Sequence, residues 1–136
     1  MTRYIALVDF EDGLYGVSFP DAPGCVAMAE TQDEAINDAS DALSEWVADE
    51  LSDGRDAPIA SGVEALLRLD EIRAALGRGA ILASVPLVRE TGKLARANIS
   101  LDAGLLADID EEARRRGVTR SAFLAAAARD KIKASA

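Results

Sequence analysis

The chain has 136 residues, 49% of them hydrophobic, with 15 Lys/Arg against 24 Asp/Glu, no histidine and one cysteine, Cys25. That length accommodates one domain, or a domain of roughly 90 residues with a short second module, and the apolar content excludes a disordered polyelectrolyte. A single cysteine excludes an internal disulfide, the lack of histidine removes the usual zinc ligand and the commonest general base, and no apolar run approaches the ~18 residues of a membrane span, so an ordered cytoplasmic protein is expected.

The net charge of −9 argues, taken whole, against nucleic acid, because phosphate contacts need Lys and Arg. Its distribution reverses the argument. Residues 1–92 hold six basic and eighteen acidic groups, a net of −12, whereas residues 93–136 hold nine basic and six acidic groups, a net of +3. Two modules with different partners are expected.

In chain order, Tyr4 to Phe10 is β-prone, Glu11-Asp12-Gly13 is a turn, and Leu14 to Phe19 resumes the strand pattern, which predicts a hairpin. Pro20-Asp21-Ala22-Pro23-Gly24 is expected to interrupt the ladder, with a third strand over Cys25 to Ala29 in which Cys25 is a small buried hydrophobe. Thr31-Gln32-Asp33-Glu34 has capping-box spacing, so a helix should start there. Ile36, Ala39, Leu43, Trp46, Val47 and Leu51 form its apolar stripe, and Asp38, Asp41, Glu45 and Asp49 its solvated side. Ser52 to Ser61 reads as a loop, Val63 to Leu76 as one shorter helix ended by Gly77, and Ala80 to Val88 as an apolar strand whose Pro86 places it near an edge. The module is therefore α+β, ordered β-β-β-α-α-β, with a hinge at residues 89–92.

From Lys93 to Leu101 the chain alternates, with Ala95, Ala97, Ile99 and Leu101 on one face and Arg96, Asn98 and Ser100 on the other, as in a half-buried strand. Asp102 is an N-cap for a helix carrying Leu105, Leu106, Ile109 and Ala113 and stopped by Gly117. Thr119 caps a second helix, with Val118 and Phe123 at staple positions and Phe123, Leu124, Ala127, Ala128 and Ile132 inward. One strand and two helices in about 44 residues bury too little alone. Two copies that pair their strands antiparallel enclose the apolar stripes and present six polar side chains on a two-stranded ribbon, a shape that enters the major groove of B-DNA. Arg96 matches a guanine edge, Asn98 an adenine edge, and Ser100 can donate or accept. Thr119 with the backbone N–H groups of Arg120 and Ser121 forms a helix start able to hold a phosphate, to which the Arg120 side chain adds charge.

Lys93 to Lys133, with RANISLD, the ARRRG stop and the GVTRSAFL start of the last helix, resembles the ribbon-helix-helix fold of Arc- and MetJ-type repressors. Residues 15–36, YGVSFPDAPGCVAMAETQDEAI, and the alanine-spaced helix after them resemble HicB antitoxins. Together the two resemblances imply a partial RNase H-like N-terminal domain (1–88) that binds a HicA-like mRNA-cleaving toxin. They also imply an obligately dimeric C-terminal domain (93–136) that represses its own operon at palindromic double-stranded operator DNA, as a dimer or dimer of dimers. No cofactor, metal or enzymatic activity is implied. A free-standing ribbon-helix-helix regulator with a sensing or oligomerisation domain is the second reading. A metal-dependent nuclease is a third, for which Asp9 is the one suggestive carboxylate and Asp12, Asp21 and Glu30 fall at turns or strand ends. Asp21 is also a candidate toxin contact.

Overall fold

The computed structural model describes residues 1–134. It divides into two compact units, Met1–Arg89 and a second that begins at Glu90.

In the first unit, β1 (Arg3–Glu11) and β2 (Leu14–Phe19) form the expected hairpin, in register from Leu7↔Ser18 to Glu11↔Leu14. Asp12 and Gly13 both take positive φ, 53° and 80°, the primed turn geometry whose twist matches the flanking strands. β3 (Ala22–Ala29) adds outside β2 and β4 (Ile81–Pro86) outside β1, so the sheet is antiparallel throughout in the order β3-β2-β1-β4. Alternation then decides what is covered: Tyr4, Ala6 and Val8 of β1 point to one face with Val17, Phe19, Cys25 and Val85, and α1 (Gln32–Ser52) packs Ala35, Ala39, Leu43 and Val47 onto them. Cys25 is buried there, and burial pushes its thiol pKa up, which leaves it an unreactive packing residue.

α1 starts as its sequence dictates, with Thr31 Oγ1 accepting from the Glu34 amide at 3.2 Å. Its buried stripe is rotated slightly from the expected one: Ala35 and Ser40 are buried, Ile36 and Trp46 are half-buried, and Leu51 is exposed. Ser40 is tolerated because its hydroxyl donates to the Pro86 carbonyl at 3.3 Å, which satisfies a buried polar group and ties α1 to β4.

Three boundaries differ from the sequence reading. β3 begins at Ala22, so Pro23 and Gly24 lie within it; an edge strand accepts a proline, and the register shift at Ser18/Phe19 with Gly24 at φ +89° absorbs the distortion. The single helix expected over 63–76 is two, α2 (Val63–Leu66) and α3 (Asp70–Gly77). Arg68 and Leu69 donate to Ala65 and Leu66 in tight i−3 bonds, and Leu69 turns extended (φ −80°, ψ 125°) as the N-cap of a helix whose first turn holds Asp70 and Glu71. The final strand is shorter than residues 80–88 and ends at Pro86, the edge position foreseen for it.

The loop between α1 and α2 is pinned by two long-range contacts. The Tyr4 hydroxyl donates to the Pro58 carbonyl at 2.6 Å, and Asp21 accepts from the Ser61 amide at 2.8 Å and the Ser61 hydroxyl at 2.6 Å. Burial and then the Asp21 charge raise the Tyr4 pKa, which keeps the phenol a donor. Asp21 thus has a definite job within the fold. Asp21→Ala strands both Ser61 donors and should lower the unfolding free energy by about 1.5–3 kcal/mol, measured by urea denaturation.

In the second unit, α4 (Ala103–Arg115) and α5 (Arg120–Ala134) are joined through Gly117, at φ +70°. Asp102 Oδ1 accepts from the Gly104 and Leu105 amides at 2.8 and 3.1 Å, and Thr119 Oγ1 from the Ala122 amide at 3.1 Å, as the two caps predict. The strand expected over 93–101 is absent: the segment pairs with no other strand and is exposed from end to end. A strand is defined by its ladder, and one chain offers these residues no ladder partner.

Candidate nucleic-acid interface

Segment 93–101 leaves both of its alternating rows uncovered. Arg96, Asn98 and Ser100 are exposed, and so is the apolar row, with Ile99 63% and Leu101 38% accessible. The helices that follow are underpacked in the same way. α4 buries Ile109 and Ala113 but leaves Leu105 half in solvent, and α5 has no buried residue among those described. Phe123, Leu124 and Ile132 are half-buried, whereas Ala127 and Ala128 are exposed. Val118, Ala122, Phe123, Ala126 and Ala127 line an open apolar hollow of about 330 Å³, with the Arg116 guanidinium 5.9 Å above the Phe123 ring.

Four arginines of this unit are held by carboxylates. Arg115 and Arg116 pair with Glu112, Arg120 chelates Asp110 at 2.8 and 2.7 Å, and Arg129 pairs with Glu90. Among the described residues Arg96 makes no ion pair, and it is exposed, as are Asn98 and Ser100. The Thr119–Ser121 helix start is therefore split: its side-chain hydroxyl caps α5 and the Arg120 guanidinium is held by α4, while the Arg120 and Ser121 amides meet no carbonyl among the described residues. The Arg120–Asp110 contact spans ten residues and two helices, and no local pattern announces it.

The hydrogen bonds from Arg115 and Arg116 hold the Glu112 carboxyl at a pKa of about 2, and Arg120 lowers that of Asp110. A carboxylate whose folded pKa is depressed stabilises the fold above its ordinary value of about 4.5 and loses that contribution as pH falls toward 2. Acidification from pH 5 to 2 should thus loosen the end of α4, read as lower amide-exchange protection relative to the intrinsic rate at Arg115–Gly117, and Glu112→Gln should flatten the dependence.

The first unit offers a different surface. Asp9 leans across the ladder over Gly16, where a Cβ would lie 2.7 Å from its Oδ1. Among the described residues no three His, Cys, Asp or Glu side chains converge as metal ligands, and no helix is long and apolar enough to cross a membrane. Asp9, Phe10, Glu11, Ala75, Arg78, Gly79 and Ala80 line an open hollow of about 500 Å³ at the hairpin end of the sheet.

These features define a two-unit α+β protein: an acidic, helix-covered antiparallel sheet followed by a basic helical unit with an exposed, alternating arm. Residues 4–128 match the family described as HicB-like antitoxin of bacterial toxin–antitoxin systems, and the chain belongs to it. The chain is 31% identical over 107 residues to an uncharacterized 14.9 kDa protein in the rep-hol intergenic region of Haemophilus phage HP1, covering 79% of this chain and 77% of that one. The crystal structure of the Burkholderia pseudomallei antitoxin HicB is 34% identical with a TM-score of 0.56, over 97% of this chain and 99% of that one. A chain of the HicA3 and HicB3 toxin–antitoxin complex shares the fold at 19% identity and TM-score 0.51, over 65% of this chain and 99% of that one.

Proposed function

We propose that this antitoxin neutralises a HicA-like toxin through its first unit and represses its own operon through its second, which pairs with another copy as a ribbon-helix-helix. It acts by binding; catalysis plays no part. The observation that carries the DNA reading is that the whole alternating segment is exposed, apolar Ala95, Ala97, Ile99 and Leu101 together with polar Arg96, Asn98 and Ser100. Apolar side chains so placed need a cover, and a second strand supplies the cover and the missing ladder together. The resulting ribbon fits a major groove, with Arg96 and Asn98 as bidentate readers of guanine and adenine, Ser100 as a third contact, and the Thr119–Ser121 turn against a phosphate. For the first unit, membership of the HicB-like family supports a toxin partner, and the net −12 of residues 1–92 supports a cationic one.

Arg96→Ala should cost about 1–3 kcal/mol at the chain's own promoter DNA and relax preference for one base pair, in a gel-shift series across single-base variants. An equal loss on random DNA would make Arg96 a phosphate contact instead. A chain that binds DNA but no HicA-like toxin would be a free-standing regulator.

A further inference from the structure

We infer that the outer edge of β3, Cys25–Ala29, is where the first unit receives its protein partner, as a basic extended segment laid alongside β3 as a fifth strand. This rests on the reading of that unit as partner-binding. β3 pairs on one side only, through Ser18↔Val26, Val17↔Ala27, Gly16↔Met28 and Tyr15↔Ala29, so alternate backbone N–H and C=O groups of this stretch point away from the sheet. Natural edges are usually blunted by lysine, proline or a bulge. Here the proline and the register shift sit at the start of the strand, and no residue from Ala22 to Ala29 is charged. Beyond Gly24 the edge is open, and Val26 and Met28 stand 61% and 63% exposed on the face away from α1.

Charge selects the occupant. The helix packed over β3 carries seven carboxylates, Asp33 to Glu50, and no Lys or Arg. An added strand alternates its side chains, one row beside Val26 and Met28 and the other on the side of α1. The matching sequence therefore alternates apolar with basic residues. A second copy of this chain, joined edge to edge about a two-fold axis normal to the sheet, would bring two acidic helices to the same face and repel. The opposite edge, β4, ends at Pro86 and is flanked by Arg78 and Arg89, which disfavours a basic strand.

The test uses the full chain and a catalytically inactive HicA-like toxin, with amide exchange and calorimetry. Complex formation should protect the amides of Cys25–Ala29. Val26→Lys/Met28→Lys should weaken binding roughly tenfold or more, with promoter DNA affinity unchanged. A complex that forms with no protection of 25–29 and unchanged affinity of the double variant overturns the edge assignment while leaving the antitoxin reading intact. A double variant whose sedimentation mass falls in the absence of toxin gives the edge to a second copy, which also overturns it. Failure of the unaltered chain to bind the toxin at all removes both.

Discussion

Ile99→Asp should abolish dimer formation and operator binding in one step. In the single chain Ile99 is largely exposed, so the substitution costs the isolated unit little. In a paired ribbon the same position faces the helices of both copies, and two aspartates are buried without partners, at several kcal/mol each. Because the reading row Arg96, Asn98 and Ser100 becomes a six-residue surface only when two strands pair, operator affinity should fall to the non-specific level, on the order of a thousandfold or more. Sedimentation and gel-shift titration on the same sample check the coupling. A monomeric variant that still holds the operator at full affinity would show that one arm reads DNA alone.

Leu43→Ala is the counterpart for the first unit. Leu43 is fully buried, at the centre of the α1 stripe over Tyr4, Val17 and Val85. Deleting its isobutyl group forfeits the transfer energy and leaves a cavity among residues already packed, a loss of about 2.7–5 kcal/mol. Against a typical total of about 5–15 kcal/mol that is a large fraction, so the urea midpoint should fall sharply. Leu51→Ala, on the same helix but exposed, should change stability by less than about 0.5 kcal/mol. A comparable loss at both positions would mean that the helix is held by something other than its buried stripe.

Where the sequence carried a local signal, it located the element closely. Alternation around Asp12-Gly13 placed the β1–β2 hairpin, and the spacing of Thr31 and Glu34 placed the start of α1, as did Asp102 and Thr119 for α4 and α5. What escaped was set by competition between signals or by distance. Leu67 and Leu69 continue an apolar helical pattern, so the break between α2 and α3 was hidden behind residues that look like a stripe. Pro23 and Gly24 signal a turn, yet the edge strand absorbs them. Asp21 was visible only as a loop former and a possible toxin contact; its bonds to Ser61, forty residues away, come from topology. Arg120 was legible as a cation at a helix start, but not as the partner of Asp110. The segment 93–101 alternates as a strand must, and a single chain has nothing for it to pair with.

Two separable units do two jobs in this reading of the chain. The most direct measurement compares residues 1–88 with the full chain in one pair of assays, rescue of growth from a HicA-like toxin and gel shift of the promoter. Both proteins should rescue growth, and only the full chain should shift the promoter. Rescue that disappears with residues 89–136, or promoter DNA bound by residues 1–88, would show that the two jobs are not divided between the units.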